Sequence, residues 1–206
     1  MDEQRSAVAP SRRQRRTEHT QARLLDAATA VFLARGYDEL TLAEVTARAD
    51  LGTGTLYLHF RDKRSLYEAV VRRALASLYQ RWQRSAGAGD SRAERVLAMV
   101  RVTIEFLTEH PELARLCLLD GPSVESWLVE DIAAVIATFL DGPQPELRAS
   151  LIIGVALAAG RHYVRNDRQP GARPLLETTL AFCAGGLAGT ERPARAPSRS
   201  PRKRAA

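Results

Sequence analysis

The residues with the most suggestive chemistry lie between Thr53 and Lys63, where hydroxyl, aromatic and basic side chains fall within a short span of the sequence. Thr53 and Thr55 each offer a hydroxyl group to a phosphate or a base edge, and a methyl group to a thymine. Gly54 lies between them and lets the backbone approach a partner closely. Tyr57 follows in the same run. Side chains of these types at this spacing suit contact with DNA.

A helix must hold these side chains in place. Leu56 and Phe60 lie four residues apart and would both point inward, so the sequence predicts a short helix that begins at Thr53 and ends at Phe60. Tyr57 and His59 would then project from the exposed side of that helix.

Another short helix precedes it. Leu42, Val45 and Ala49 share one helical face, and the polar, apolar and glycine residues at 50–52 predict a turn. Two helices this short cannot bury their apolar faces alone, so both must pack on something longer.

The segment from Gln21 to Arg35 supplies the longer helix. Its apolar residues recur at three- and four-residue spacing, and Gly36 follows where a helix commonly ends. The residues on its apolar face are Leu24, Leu25, Ala28, Val31 and Phe32. Together the three helices predict a helix-turn-helix head whose last helix is exposed for reading DNA.

Residues 46–66, TARADLGTGTLYLHFRDKRSL, resemble the signature of the TetR-type (tetracycline-repressor-like) transcriptional regulators. The positions shared with the family pattern are Ala49, Gly54, Thr55, Leu56, Tyr57, His59, Phe60, Lys63 and Leu66. The sequence departs from the pattern at three positions. Thr46 replaces a small alanine, Asp50 replaces the glycine of the turn, and Gly52 replaces the serine or threonine that usually caps the recognition helix. Asp enters the left-handed region more readily than most residues and Gly is a weaker cap, so the departures leave the resemblance intact.

The resemblance implies a function for the chain and roles for some of its residues. Tyr57 and Lys63 would hold phosphates, a ligand pocket would lie among the helices of residues 92–170, and the last two helices would pair with those of a second subunit. The implied function is that of a homodimeric, ligand-responsive repressor that binds a palindromic operator in double-stranded DNA and answers to a small-molecule effector. A transcriptional activator is the alternative, because the direction of control depends on where the operator lies relative to the promoter.

Other residues of the head are candidates for DNA contact. Thr41 is a natural cap of the first short helix, and its hydroxyl or amide either meets a phosphate or serves the cap alone. Arg48 and Arg61 are either phosphate neighbours or solvated charges. Leu58 either contacts a thymine methyl or lies in solvent. The predicted DNA-binding residues are Thr41, Arg48, Thr53, Gly54, Thr55, Tyr57, His59 and Lys63.

The rest of the sequence predicts an all-α protein, in which a long fourth helix joins the head to a helical effector-binding and dimerisation domain. The predicted helices beyond the head cover residues 62–84, 92–109, 111–119, 123–140, 145–167 and 174–187, with a small-residue linker at 85–91. The predicted domains are a flexible basic arm (1–20), the head (21–66), the effector-binding and dimerisation domain (67–189) and a disordered basic tail (190–206).

The last two helices are rich in small residues, which allow helices to approach closely. They are Gly154, Ala156, Ala158, Ala159 and Gly160, followed by Ala181, Ala184, Gly185 and Gly186. Either a tight intramolecular core or the subunit interface implied by the resemblance would use them.

Few residues stand out as effector ligands. The candidates are the polar and aromatic residues Arg101, Phe106, Trp127, His162 and Tyr163. Leu151, Val155 and Ala158 mark the face of their helix that we predict to point inward. His162 continues that face, so it is either a ligand contact or a hydrogen-bonded core histidine, the interpretation we favour.

The net charge of +6 is concentrated at the two ends: residues 1–20 carry +2 and residues 190–206 carry +5, which leaves −1 for the rest. A nearly neutral body with basic ends suits a protein that meets a polyanion through flexible arms. The arginines of the first arm, which would enter a minor groove or track the DNA backbone, are Arg12, Arg13, Arg15 and Arg16. Two solubilising tails are the alternative.

Several function classes are disfavoured. Cys117 and Cys183 lie in apolar helical patterns, so we expect two buried thiols, with a redox-responsive regulator as the alternative. No residue spacing predicts a metal site, a cofactor or a catalytic centre, which leaves an enzyme or small-molecule carrier as a remote alternative. The N-terminus lacks the apolar segment of a signal peptide, and the apolar stretch at 151–160 is too short to span a bilayer. We expect a cytoplasmic protein with no membrane partner.

Overall fold

The computed structural model describes residues 11–85, 91–122 and 125–188, without the side chains of residues 125–128, 131 and 188. Every regular element in these residues is a helix, which confirms the all-α prediction. The helices are α1 (Arg12–Glu39), α2 (Leu42–Ala49), α3 (Thr53–His59), α4 (Lys63–Ser85), α5 (Arg92–Glu109), α6 (Pro111–Arg115), α7 (Glu125–Ala137), α8 (Pro145–Arg165) and α9 (Ala172–Ala188). The Trp127 side chain, most of the 85–91 linker, residues 1–10 and the basic tail from Thr190 lie outside the described residues.

Helix α1 begins earlier than the sequence suggested. The Ser11 hydroxyl accepts the Gln14 amide at 3.1 Å and caps the helix, so helical structure starts at Arg12. The prediction of a flexible arm is therefore wrong for residues 12–20, whose arginines lie exposed along a helix. Gly36 interrupts the helical geometry with a positive φ of 78°, at the position where the sequence predicted the helix to end.

The head has one small core. Helices α1, α2 and α3 bury Phe32, Val45 and Leu56 almost completely, each side chain contributing about 1.5–3 kcal/mol by removal from water. Thr46 is also buried, and its hydroxyl donates to the Ala43 carbonyl at 3.0 Å, so the larger residue fits with its polar atom satisfied. The predicted three-helix packing is confirmed.

Helix α4 joins the head to the body. Leu66 and Val70 are buried toward its start, and Leu78 and Trp82 are buried toward its end. The Trp82 indole donates to the Met99 carbonyl at 3.1 Å and so fastens α4 to α5. Helix α5 is capped by a reciprocal pair of bonds between Ser91 and Glu94.

The inward face of α8 differs from the prediction. Leu151 is 61% exposed and Ala158 is exposed, whereas Ile152, Ala156 and Gly160 are buried. Apolar residues occupy more than one face of this helix, so their spacing could not reveal which face packs inward. His162 is exposed as well, and the prediction of a core histidine is wrong.

The chain after α6 departs from α-helical geometry. Leu116–Asp120 form a π-helical turn where the sequence predicted a continuous helix to Leu119. Gly160 of α8 packs so closely against α5 and this turn that a Cβ there would lie 2.7 Å from Leu107 of α5 and 3.0 Å from Leu118 of the turn. In the part of the chain that the structure describes, no helix has both the length and the apolarity needed to cross a membrane.

Candidate nucleic-acid interface and effector cavity

A tight turn sets the direction of α3. Asp50 adopts the left-handed conformation, with φ 50° and ψ 54°, and its amide donates to the Ala47 carbonyl at 3.2 Å. Gly52 is the N-cap residue of α3 and provides no side-chain cap. Thr53 and Gly54 are consequently exposed at the start of the helix, and Thr55 is half-buried.

Helix α3 presents its outer side to solvent. Tyr57 is 56% exposed and Leu58 is 85% exposed, while Leu56 and Phe60 are buried as predicted. His59 is half-buried beside the Phe60 ring, with ring centroids 6.3 Å apart. An exposed leucine on the outer side of such a helix can make the apolar contact that a thymine methyl offers.

Thr41 serves the cap of α2. Its hydroxyl accepts the Glu44 amide at 3.3 Å, and the Glu44 carboxylate accepts the Thr41 amide at 3.0 Å. The Thr41 backbone bond, followed by the bond from its side chain, lowers the pKa of Glu44, so this carboxylate stays ionised. The cap role is thus present, and a phosphate contact by Thr41 stays a prediction.

The basic residues of the head lie at its edges. The Lys63 ammonium donates to the Asp38 carbonyl at 2.8 Å and lies 4.8 Å from the centroid of the Tyr37 ring. An ammonium has three donors, so this anchored group retains others for a phosphate. Arg48 is exposed on α2.

An apolar cavity of about 70 Å³ lies in the body, between α4, α5, α6, the π-helical turn, α7 and α8. We call it the central cavity; its wall includes Leu78, Trp82, Met99, Thr103, Phe106, Leu107, Cys117, Leu118, Ile136, Ile153 and Ala156. The hydroxyl of Thr103 already donates to the Met99 carbonyl at 2.8 Å and accepts the Trp82 indole at 3.1 Å. The lining therefore offers apolar surface and almost no free polar group.

The predicted effector residues do not come together. Phe106 lines the central cavity, whereas Arg101 is exposed on α5 and Tyr163 is buried on α8 outside the lining. His162 lies instead in a surface groove between α8 and α9. The periodicity of single helices could not show which side chains meet across six elements.

Both cysteines lie in apolar surroundings, and burial raises the pKa of Cys117 to about 12 and also raises the pKa of Cys183. At neutral pH both groups are then protonated thiols, which are poor nucleophiles. We expect DNA binding to be the same with and without a thiol reductant, measured by titration of labelled duplex. A Cys117→Ser/Cys183→Ser variant is the control. Oxidant-dependent binding in the wild type alone would contradict this expectation.

Tyr67 connects the π-helical turn to the head. It is fully buried, and its ring meets those of Phe32 and Tyr37 edge-on, at centroid distances of 5.6 and 5.2 Å. Its hydroxyl donates to the Leu116 carbonyl in the π-helical turn at 3.3 Å. Gly121 packs so tightly here that a Cβ would collide with this hydroxyl. Because the two partners are 49 residues apart, sequence reasoning did not identify this contact.

The outer sides of α8 and α9 form an open apolar surface. Leu147, Leu151 and Phe182 are 53, 61 and 67% exposed, and small residues lie between them along the helices. We call this surface the α8/α9 face; its residues are Leu147, Leu151, Gly154, Ala158, Phe182 and Gly185. Ala158 and Phe182 line the same groove, so the two helices contribute to one surface.

Residues 24–70 match the sequence profile of the bacterial regulatory proteins of the tetR family. The chain is 25% identical to the HTH-type transcriptional activator FasR of Mycolicibacterium smegmatis over 183 residues, which cover 82% of this chain and 84% of that protein. A TetR-family transcriptional regulator from Pectobacterium atrosepticum has a similar structure, with a TM-score of 0.64, 28% identity, and coverage of 88% of this chain and 97% of that one. The transcriptional regulator FadR from Bacillus subtilis, solved in complex with stearoyl-CoA, shares the fold with a TM-score of 0.70, at 17% identity over 81% of this chain and 98% of that one.

Proposed function

Because the chain belongs to the TetR-type transcriptional regulators, which bind DNA, we propose that it acts as a homodimeric repressor released from a palindromic operator by an apolar effector. One observation carries this proposal. Most of the large apolar side chains that are exposed in the described residues gather on two surfaces, α3 and the α8/α9 face. These side chains are Tyr57 and Leu58 on α3, and Leu147, Leu151 and Phe182 on α8 and α9, with Leu33 alone elsewhere. We assign the first surface to DNA and the second to another copy of the chain.

The α8/α9 face suits a two-fold pairing. At Gly154, Gly185 and Gly186 a Cβ would meet nothing within 4 Å, so there is room for side chains of a partner. A two-fold axis places two copies of α3 on the same side of a duplex, where half-sites about 34–36 Å apart present the same groove. Without that pairing a single α3 would read only one half-site.

The proposed DNA contacts divide by chemistry. Base edges would be read by Thr53, Thr55 and Tyr57, with Leu58 against a thymine methyl and Gly54 permitting close approach. Phosphates would be held by the remaining polar residues at the rim of the head: Thr41, Arg48, His59 and Lys63. Tyr57 would place its ring against a base and donate its hydroxyl to a phosphate.

Tyr57→Phe is expected to weaken binding to all sequences alike, because it keeps the ring and removes only the hydroxyl that would donate to a phosphate. Thr53→Ala is expected instead to relax preference at one base position, by about 1–3 kcal/mol at most. Titration of each variant against matched and mismatched duplexes at fixed salt checks both. Both side chains are exposed, so unchanged thermal unfolding is the control. Unaltered sequence preference in Thr53→Ala would show that α3 is seated in another register.

Selection of binding sites from random and genomic DNA, followed by footprinting at near-physiological salt, tests the proposal as a whole. A two-fold symmetric site with half-sites about one DNA turn apart is the expected result. Weak, salt-sensitive binding without sequence preference would overturn it.

The central cavity indicates the class of effector. A charged or strongly polar group would find no partner among its lining residues, and burial without a partner is costly. The fitting ligand is therefore a hydrocarbon chain or another apolar body, such as the acyl chain of the stearoyl-CoA bound to FadR.

The cavity must widen to admit such a ligand. Its volume of about 70 Å³ is well below the roughly 150 Å³ of an engineered cavity that binds benzene. Cys117 and Leu118 belong to its wall and to the π-helical turn that accepts the Tyr67 hydroxyl. Outward movement of this turn would disturb Tyr67 and, through its ring contacts, the head. Effector binding would thereby change the spacing of the two heads on the operator.

Titration with saturated acyl-CoAs and free fatty acids of increasing length tests the effector class. A probe must favour the DNA-incompetent state by about 100-fold, or roughly 2.7 kcal/mol, to release the operator effectively. Release that strengthens with chain length is expected. Release by polar metabolites and none by apolar chains would exclude the apolar effector.

Activation is a second candidate for the direction of control, because the relative FasR is named as an activator. Transcription in vitro from a promoter that carries the selected site distinguishes repression from activation. Repression requires less transcript with the protein than without it, and activation requires more.

A further inference from the structure

Arg23 of α1 closes the C-terminal end of α2. Its Nη2 atom donates to the Ala49 carbonyl at 2.6 Å and to the Asp50 carbonyl at 3.3 Å, and it lies 3.9 Å from the Asp50 carboxylate. The last carbonyls of a helix accept no hydrogen bond from within the helix, and the helix dipole favours a cation near them. One guanidinium therefore holds the end of α2 and the first residue of the turn.

The turn gains stability from such a partner because Asp50 lies in the left-handed region, with φ 50°, which aspartate enters more readily than most residues but still less readily than glycine. This conformation costs a residue with a Cβ more than it costs glycine, which is the usual residue at this position of the signature that the chain resembles. Arg23 and Asp50 thus form a compensating pair: the arginine stabilises a backbone conformation that glycine would adopt freely.

The direction of α3 depends on this turn. The helix has seven residues, follows the N-cap residue Gly52, which offers no side-chain cap, and buries only Leu56 before Phe60 ends it. Few contacts besides the turn then define its orientation. We propose that Arg23 is a positioning residue for DNA recognition, which holds α3 in its reading orientation without contacting the operator.

A second arginine of α1 provides a matched control. Arg35 pairs with the Glu44 carboxylate at 3.1 Å, at the opposite end of α2 from the turn. Arg35→Ala removes the same charge from the same helix pair and leaves the turn carbonyls with their partner.

The inference rests on the proposed operator binding, so affinity is measured on the selected duplex and on a shuffled duplex of the same composition. Arg23→Ala is expected to lower affinity for the selected duplex by about tenfold, the factor that matches the cost of a non-glycine residue in the left-handed region. Affinity for the shuffled duplex and the salt dependence should both stay as in the wild type. Arg23→Ala/Asp50→Gly should regain the lost affinity, because glycine forms the turn without a clamp.

Amide hydrogen exchange supplies a readout that needs no DNA. Arg23→Ala should speed exchange in residues 51–59 and leave α4 unchanged, Arg35→Ala should speed neither, and the double variant should restore protection. Equal losses on both duplexes with a salt slope reduced by about one would make Arg23 a phosphate contact and overturn the inference. Unchanged exchange in residues 51–59 would overturn it as well. Failure of operator recognition itself would appear in the wild type, as an absence of preference for the selected duplex.

Discussion

Leu151→Glu combined with Phe182→Glu is expected to convert the protein into a monomer and to lower operator affinity by about 10²–10⁴-fold, the gain that linking two half-site contacts provides. Both side chains are more than half exposed on the α8/α9 face. A two-fold axis repeats each substitution, so four carboxylates would be brought into one apolar interface. Desolvating unpaired charges there is strongly unfavourable. Sedimentation equilibrium, followed by titration of the selected duplex, measures both effects.

Leu33→Glu is the control for this result. Leu33 is 41% exposed on α1, away from the α8/α9 face, so the same chemical change should leave the oligomeric state as it is. Both proteins should keep the helical circular dichroism of the wild type, because neither set of side chains belongs to the core of one chain, whereas loss of the dimer should lower the unfolding temperature of the double variant alone. A dimer that persists with both glutamates in place would assign the α8/α9 face to another use and would remove the basis of the palindromic site.

Ala156→Leu is expected to abolish release of the operator by acyl chains while operator affinity in the absence of a ligand is retained. Ala156 is buried in the wall of the central cavity, and the longer side chain occupies the space that an apolar ligand would enter. Overpacking typically costs about 1–3 kcal/mol, and the empty cavity should reduce that cost for the unliganded protein. Competition between acyl-CoA and labelled duplex measures the loss of response.

Ala134→Leu makes the same change at an exposed position of α7 that is not part of the cavity wall. This variant should respond to acyl chains like the wild type. If Ala156→Leu still releases the operator at the same ligand concentration, the effector binds elsewhere, and the groove between α8 and α9 becomes the next site to test.

Two contacts give the proposed coupling between the cavity and the turn before α3 a structural basis. Tyr67 connects α1 to the π-helical turn, which contributes Cys117 and Leu118 to the cavity wall. Arg23 connects α1 to the turn before α3. Burial raises the pKa of Tyr67, so its hydroxyl remains a donor to Leu116 across the range in which proteins are handled. In both contacts a side chain donates to a backbone carbonyl. Each contact therefore depends on where the accepting segment lies and not on which side chains that segment carries.

The head could be predicted from the sequence because its signals are local. Leu56 and Phe60 are four residues apart, Thr41 and Glu44 form a cap within one turn, and Asp50 lies where a turn was expected. Such patterns depend on helical periodicity and capping alone, so residue types and spacing were sufficient to predict α2, the turn and α3. The family resemblance rests on the same short segment.

The features of the body could not be predicted in the same way, because they depend on tertiary packing. Helix α8 is apolar on more than one side, so spacing predicted the wrong inward face, and His162 proved to be exposed. The central cavity is assembled by residues from Val71 to Leu157, and its volume depends on how six elements meet. Sequence by itself determined the helices of the head and the chemistry of the exposed side of α3, since these depend on neighbours within one or two turns. Only the tertiary structure decided which faces are buried, where the central cavity lies and which contacts connect the π-helical turn in its wall to the head, because those properties arise between residues far apart in the chain.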